Sequence, residues 1–316
     1  MLIFVAMENK SKSFIITVDT EGDNLWRYHD GKKINVKNAE YIEPFQVMCQ
    51  QFNFKPVYLV NYEMAECDLF VNQSREWLSN GNCEIGLHLH AWNNPPFHRL
   101  EGRYKGQPYL IEYPKEIMED KFRIIYNLLC ERYNQPPLSH RAGRWAMNED
   151  YFSILNKFGI RIDCSYTPLI NWEHSKGRTM GGSNYKNVSL QPSHIDGIFE
   201  VPMTVRMTDV PSHRPWYKRF RRERLPRNIW MRPAMQSLND LESLVDMIEA
   251  EPQTDYIEFM IHSSELMPGG SPYCRTDKDV REFLSKIRRI FENVHNRGYQ
   301  GRTLQEYFTL HHDSAK

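Results

Sequence analysis

The sequence lacks the features that assign a protein at once to several common classes. Its six cysteines include no C-x-x-C pair, which argues against a zinc–cysteine site, a thioredoxin motif and a disulfide framework. Its formal net charge is zero, so the molecule as a whole has no general attraction for nucleic acid or anionic membranes. It shows no fixed-period repeat and no low-complexity tract. These absences favour a globular protein whose thiols stay reduced, as they do in the cytoplasm.

Long apolar runs are also absent. The run at the N-terminus, in MLIFVAM, covers about seven residues, whereas a transmembrane helix needs about 20. It has neither the charged region nor the small-residue cleavage site of a signal peptide. We therefore predict a cytoplasmic protein in which residues 1–12 are an N-terminal leader and residues 13–312 form a single domain.

The sequence does contain a regular alternation of strand-like and helix-like segments. Apolar residues recur at helical spacing through Lys115–Tyr133 and Asp277–Asn296. Several β-rich runs are apolar throughout, which is typical of parallel strands covered on both faces. The pattern predicts an α/β fold with a mainly parallel sheet, open or closed into a barrel, whose active site lies at the carboxyl ends of the strands. The predicted strands are 13–18, 55–61, 83–90, 138–143, 160–164, 199–205 and 256–262.

The first predicted strand runs directly into acidic residues. Asp19, Glu21 and Asp23 alternate after the apolar run IITV, so an extended chain places them on one side. Such residues can form a solvated acidic loop, because acids are common after strands. They can equally supply a general base and a metal ligand at the mouth of a barrel.

The third predicted strand carries two histidines one residue apart. In the sequence GLHLH, His88 and His90 project to one side of the strand and the two leucines to the other. Two imidazoles placed in this way can bind one divalent cation. A hydrogen-bonded histidine pair without metal is the alternative.

Two further strands end in side chains of catalytic type. Arg141, in HRAGRW, can hold a carboxylate through paired hydrogen bonds, and His262, in FMIHSSE, can act as a general acid. Taken singly, a surface arginine and an isolated histidine are the simpler interpretations. Because parallel strands end at the same edge of a sheet, we expect both residues to lie near the acids and histidines of the first and third strands.

In their order and spacing these motifs resemble those of polysaccharide deacetylases of the NodB-homology class, carbohydrate esterase family 4. The likeness is strongest to the branch associated with lipopolysaccharide and O-antigen, the WbmS- or WalW-like proteins. It implies an irregular (β/α)7 barrel, one divalent metal ion, usually zinc, and hydrolysis of an acetyl group on a sugar. The matching stretches, between residues 17 and 273, are TVDTEGD, EIGLHLHAWNNPPF, HRAGRW with the later DCSYTP, and IHSSELMPGGSPY.

The resemblance also implies roles for individual residues. Asp19 matches the catalytic base, Arg141 matches the arginine that orients this base, and His262 matches the general acid. These three residues are the predicted catalytic set.

The metal ligands follow from the same comparison. The acidic ligand falls at Thr20 or Glu21, and we choose Glu21 because a threonine hydroxyl is a poor ligand. His88 matches the first metal histidine. The family has its second metal histidine four residues further on, where this chain has Trp92. We therefore predict His90 as the third ligand.

The resemblance therefore implies a metal-dependent hydrolase that cleaves the carbon–nitrogen bond of an acetylated sugar in surface polysaccharide or lipopolysaccharide biosynthesis. Its expected partner is an acetylated sugar or a lipid-linked glycan. The alternative is a non-catalytic barrel that binds a glycan or a lipid-linked sugar at an eroded metal site, an interpretation that Trp92 favours.

A basic segment lies outside the motifs, in a predicted insertion at about 206–235. Its positive charges outnumber Asp209 and Glu223, the acids between positions 206 and 232. Contact with an anionic membrane or a pyrophosphate-linked sugar suits this arm better than nucleic-acid binding, and no nucleic-acid partner is expected. A solvated insertion is the alternative. The basic residues are Arg206, Arg214, Lys218, Arg219, Arg221, Arg222, Arg224, Arg227 and Arg232.

Overall fold

Strands and helices alternate along the chain in a computed structural model that describes residues 12–27, 33–208 and 227–313. The strands are β1 Ser13–Thr20, β2 Pro56–Val60, β3 Glu84–Leu89, β4 Ser139–Ala142, β5 Ile162–Asp163, β6 Ser193–Ile195, β7 Ile198–Glu200, β8 Val205–Thr208, β9 Arg227–Trp230, β10 Tyr256–His262 and β11 Gln300–Gly301. The helices are α1 Glu43–Gln51, α2 Tyr62–Ala65, α3 Asp68–Ser79, α4 Lys115–Tyr133, α5 Glu149–Lys157, α6 Leu238–Glu249, α7 Asp277–Asn296 and α8 Leu304–Asp313.

Parallel strands form most of the sheet, in the order β10, β1, β2, β3, β4, β5, β7. Strand β6 pairs antiparallel with β7, and β11 pairs with β1. Hydrogen bonds connect β10 to the segments that follow β7 and β9. Tyr256 Oη donates to Pro202 O at 2.6 Å, and Met260 N donates to Met231 O at 3.0 Å. The prediction of an irregular (β/α)7 barrel is confirmed.

The sequence pattern explains the layers of this barrel. All eight residues of β1 are buried, as expected for a strand covered on both faces. Helix α7 is amphipathic, and its inward stripe includes Val280, Phe283 and Ile287. Burying each such side chain contributes about 1.5–3 kcal/mol. Thr276 begins the helix by accepting a hydrogen bond from Asp279 N, so the boundary of α7 is set by a local cap.

One predicted strand is wrong. The run 199–205 forms two separate elements, because β7 ends at Glu200 and β8 begins at Val205 in a different, two-stranded sheet with β9. Pro202 lies between them and has no N–H to donate to a ladder. The chain therefore leaves the barrel at this point.

The ends of the predicted basic arm belong to the folded domain. Arg206 is 5% exposed and forms two hydrogen bonds to Glu251, at 2.7 and 2.6 Å. Arg227 pairs with Asp240 at the start of α6. Positions 209–226, like the predicted leader up to residue 11, lie outside the described residues. Within the described ranges, no helix has the length and apolar character needed to cross a bilayer.

Candidate metal centre

Three ligand-type side chains meet at the carboxyl ends of β1 and β3. Glu21 Oε2 lies 2.8 Å from His90 Nε2, and the two Nε2 atoms of His88 and His90 lie 3.1 Å apart. The third side of this triangle, from His88 Nε2 to Glu21 Oε2, measures 3.6 Å. Ligand atoms about 2.1 Å from a tetrahedral zinc ion are about 3.4 Å apart, so the triangle has the right size for one cation.

The donor set also fits a metal. His88 Nδ1 lies 2.9 Å from the carbonyl oxygen of Arg141, which can only accept, so Nδ1 carries the proton and the lone pair on Nε2 faces the triangle. Burial lowers the pKa of His90 to about 4, so this ring is neutral at neutral pH. Two imidazoles and one carboxylate are the protein ligands of many catalytic zinc sites, which leave a fourth position open.

The position of His90 depends on a glycine after β4. A Cβ atom at Gly143 would lie 2.5 Å from His90 Nδ1 and 2.4 Å from Leu89 O, closer than real Cβ atoms approach. On its other side, the ring of His90 packs against Trp92 with the centroids 4.1 Å apart. Trp92 and the space left by Gly143 therefore fix the orientation of the His90 ring.

Asp19 lies beside the triangle and is held by a buried arginine. Arg141 Nη1 donates to Asp19 Oδ1 at 2.7 Å, and Nη2 donates to Thr17 Oγ1 at 3.0 Å and contacts the carboxylate of Glu258. Burial alone would raise the pKa of Asp19, but the charges of Arg141 and the nearby His88 outweigh burial and hold it below the ordinary value. Asp19 is therefore ionised at neutral pH and can accept a proton through Oδ2.

His262 approaches the same point from β10. Its Nε2 lies 3.9 Å from Asp19 Oδ2 and 3.8 Å from Glu21 Oε1. The ring of Trp26 covers its edge, with the centroids 4.8 Å apart. The structure thus brings together all of the predicted site residues, which are Asp19, Glu21, His88, His90, Arg141 and His262.

Asp23 does not share the site, although it alternates with the two acids that do. Its carboxylate accepts hydrogen bonds from the backbone N–H groups of Lys37 and Asn38, at 3.2 and 3.0 Å. Strand β1 ends at Thr20, and just beyond it Asn38 Nδ2 donates to the backbone carbonyl of Glu21 at 2.8 Å. Strand periodicity therefore applies to Asp19 and Glu21 only.

A carboxylate that the sequence motifs do not indicate fixes the loop after Glu21. Glu63, at the start of α2, accepts hydrogen bonds from Gly22 N at 3.0 Å, Asn61 Nδ2 at 2.6 Å and Asn93 Nδ2 at 2.9 Å. Burial raises the pKa of Glu63 to about 7, even though these donors favour the ionised form. One side chain thus ties together the segments that follow β1, β2 and β3.

We expect Glu63→Ala to raise the dissociation constant for zinc by about 10- to 100-fold, the usual effect of removing a group that orients metal ligands. The variant leaves Gly22 N and two amide groups without their acceptor, so Glu21 loses its fixed position. Competition with a chromogenic chelator measures the effect. Glu66→Ala is the matched control, because Glu66 is an exposed acid on the same segment. Equal zinc affinity in both variants would contradict the assigned role.

Comparison with known proteins identifies the fold. No known family model matches the chain, and no curated protein matches it. Among solved structures, a GH57 branching enzyme from Thermococcus kodakaraensis aligns with a TM-score of 0.55 and 12% identity, over 94% of this chain and 71% of the enzyme. The 4-α-glucanotransferase from Thermococcus litoralis aligns with a TM-score of 0.53 and 14% identity, over 95% of this chain and 40% of the enzyme.

A peptidoglycan deacetylase from Bacillus subtilis also aligns, with a TM-score of 0.45 and 9% identity, over 97% of this chain and 94% of the deacetylase. At identities this low, the alignments with TM-scores above 0.5 show a shared barrel fold and nothing about activity. Function must therefore be argued from the site itself.

Proposed function

We propose that this protein is a metal-dependent deacetylase that hydrolyses an acetyl group on a sugar. The observation that carries the proposal is the Glu21–His88–His90 triangle of ligand atoms with Asp19 on one side and His262 on another. The resemblance of the sequence motifs to the NodB-homology deacetylases supports the same assignment. Zinc is the metal that the donor set favours, because two imidazoles and one carboxylate suit it.

Each residue then has a defined task. A zinc ion bound by the three ligands would lower the pKa of a water molecule toward about 7 and polarise the acetyl carbonyl. Asp19 takes the proton of the attacking water at Oδ2, since Arg141 occupies Oδ1. His262 donates a proton from Nε2 to the leaving nitrogen. One water molecule is consumed, and acetate and the sugar amine are released.

Aromatic side chains beside His262 suit a sugar substrate. Trp26 and Tyr273 are each 39% exposed, and their rings meet edge to face with the centroids 6.2 Å apart. Because Trp26 also contacts His262, a sugar that packs on these rings has its substituents next to the metal triangle.

We expect His262→Ala to keep stoichiometric zinc and to lose turnover of an acetylated sugar by about 10²- to 10⁴-fold, the usual contribution of a general acid or base. His262 Nε2 is 3.8 Å from Glu21 Oε1 and lies outside the ligand triangle, so the metal is retained. Metal analysis and acetate release measure the two properties. His98→Ala, which changes an exposed histidine on the loop after β3, is the control. Full turnover in the His262 variant would refute its role.

We expect zinc affinity to fall as the pH is lowered. Burial lowers the pKa of His88, but the carboxylates of Asp19 and Glu21 outweigh burial and hold it above its ordinary value. A protonated Nε2 cannot bind metal, so below this pKa the apparent dissociation constant should rise by about tenfold per pH unit. Above it, the dependence should vanish. Chelator competition between about pH 5 and 8 tests this expectation, and a constant affinity across that range would contradict it.

The alternative of a non-catalytic sugar-binding barrel rests on Trp92. In that case the purified protein would bind acetylated sugars, contain no zinc and release no acetate. The three ligand atoms of the triangle, all within 4.8 Å of one another, favour the enzyme instead.

The biological setting follows from the sequence resemblance. We propose that the substrate belongs to lipopolysaccharide or surface polysaccharide biosynthesis, that the protein works in the cytoplasm, and that the basic arm contacts a membrane. Because Arg206 and Arg227 form ion pairs within the folded domain, we assign the proposed membrane contact to the basic residues among positions 209–226.

A further inference from the structure

An open cavity of about 600 Å³ lies on the long segment between β5 and β6. Among the residues that the structure describes, its lining has three basic side chains, one acid and two amides, which are His174, Lys176, Lys186, Glu173, Asn171 and Asn228. The carboxylate of Glu173 accepts a hydrogen bond from Asn171 Nδ2 at 2.9 Å. Two lysines against one carboxylate give the lining a positive balance, which favours an anionic ligand.

Strand β9 leads from this cavity toward the metal centre. Asn228 and Trp230 are alternate residues of β9 and therefore share one face. Asn228 lines the cavity. The ring centroid of Trp230 lies 6.2 Å from that of Trp172, whose neighbours in the sequence, Asn171 and Glu173, also line the cavity. Arg232 follows, with its guanidinium carbon 5.5 Å from the Trp230 ring centroid and its Nη2 3.2 Å from His262 Nδ1. Four residues span at most about 14 Å, so the cavity and His262 are within reach of one extended ligand.

Arg232 gives this path a second positive group. Its side chain is 6% exposed, and within the described residues its Nε has no hydrogen-bond partner. The nearest carboxylate, that of Glu265, lies 3.6 Å from Nη2. A buried guanidinium with an unused donor costs free energy unless a ligand supplies the acceptor. Arg232 therefore has the properties of a residue that donates a hydrogen bond to an acceptor atom of the reacting sugar.

We propose that the cavity at Lys176 and Lys186 binds the phosphate of a phosphate-bearing acetylated sugar, and that Arg232, at the other end of this path, contacts the sugar beside His262. The inference rests on the proposed deacetylase function, because it places the acetyl group at the Glu21–His88–His90 triangle. A phosphate is a compact anion with several acceptor oxygens, which match the ammonium groups of the two lysines. A sugar phosphate and a carrier-linked sugar diphosphate share this chemistry.

The test compares two variants in the zinc-loaded protein. The double variant Lys176→Gln with Lys186→Gln removes the positive charge of the cavity, and the control changes Lys157 and Lys278, exposed lysines of α5 and α7, to Gln. The probes are N-acetylglucosamine 1-phosphate, a nucleoside-diphosphate-linked N-acetylglucosamine and the uncharged methyl glycoside. Calorimetry measures the binding of each probe, and acetate release measures kcat/KM.

We expect the double variant to bind one or both phosphorylated probes at least about tenfold more weakly, the loss of one charge-assisted hydrogen bond, and to bind the methyl glycoside within about twofold of the parent. The probe with the larger loss identifies the form of the phosphate. The control variant should behave like the parent. Equal losses for charged and uncharged probes, or no loss for either phosphorylated probe, would overturn the inference.

Calorimetry requires no turnover, which separates the two proposals. A parent protein that binds zinc but releases no acetate from any probe contradicts the deacetylase assignment. The phosphate site is still decided in that case by the binding difference between the double variant and the control.

Discussion

Replacing His88 by alanine is expected to abolish stoichiometric zinc binding and to lower acetate release from an acetylated sugar by at least about a thousandfold. The variant lacks one of the three proposed metal ligands, and a cation held only by Glu21 and His90 dissociates at ordinary zinc concentrations. Without the cation, the reaction loses several kcal/mol of transition-state stabilisation, and each 1.36 kcal/mol corresponds to about tenfold in rate.

The control for this experiment must separate metal loss from unfolding. His88 lies on β3 and is 1% exposed, so its truncation leaves a small cavity. Circular dichroism and urea unfolding of the variant check the fold. Adding zinc at high concentration should restore part of the activity if the site is only weakened. Full activity without bound zinc would contradict the role of His88.

Replacing Arg141 by methionine is expected to lower the free energy of unfolding by about 3–5 kcal/mol, because breaking a buried ion pair leaves its charge uncompensated. Arg141 has no exposed surface, and its guanidinium bonds to Asp19 and contacts Glu258. Methionine keeps the apolar stem and removes the charge. Urea unfolding at neutral pH gives the change from the midpoint and the slope.

Two further variants make the Arg141 result specific. Adding Glu258→Gln to Arg141→Met removes one of the stranded carboxylates and should restore part of the stability, which identifies the network as the cause. Arg123→Met removes an exposed arginine that pairs with Glu119 and Asp120 on α4, and should leave the urea midpoint close to that of the parent, because ion pairs in water contribute little. A similar small cost for Arg141→Met would show that the buried network contributes little.

The sequence predicts the parts of the site that follow from strand geometry. Asp19 and Glu21, like His88 and His90, are separated by one residue at a strand end, so period-two geometry places each pair on one side. Parallel strands end at the same edge of the sheet, which brings both pairs to Arg141 and His262. These relations need only the positions of β1, β3, β4 and β10, and all four are among the predicted strands.

The residues that escape prediction make contacts between distant parts of the chain. Glu63 reaches Gly22 across a separation of 41 residues, and no local pattern marks it. In the sequence, Arg232 is one more positive charge in a basic run, whereas in the structure its side chain contacts Trp230 and His262. The buried role of Glu258 could have been predicted from the sequence, because an acid inside the apolar strand YIEFMIH is unusual unless it is paired.

Two neighbours fix the ring of His90. His90 directly follows β3 and stays on the face of His88. Gly143 leaves room for the ring, and Trp92 packs against it. In the proposed metal site, these contacts would hold the third ligand in position.

Anomalous X-ray diffraction at the zinc edge, from crystals of protein purified with zinc, shows whether these side chains bind the metal. We expect one anomalous peak about 2.0–2.2 Å from Glu21 Oε2, His88 Nε2 and His90 Nε2, with Asp19 beside the peak but not bound to it. A peak at other residues would contradict this set of ligands. So would zinc-saturated crystals without a peak between these three atoms.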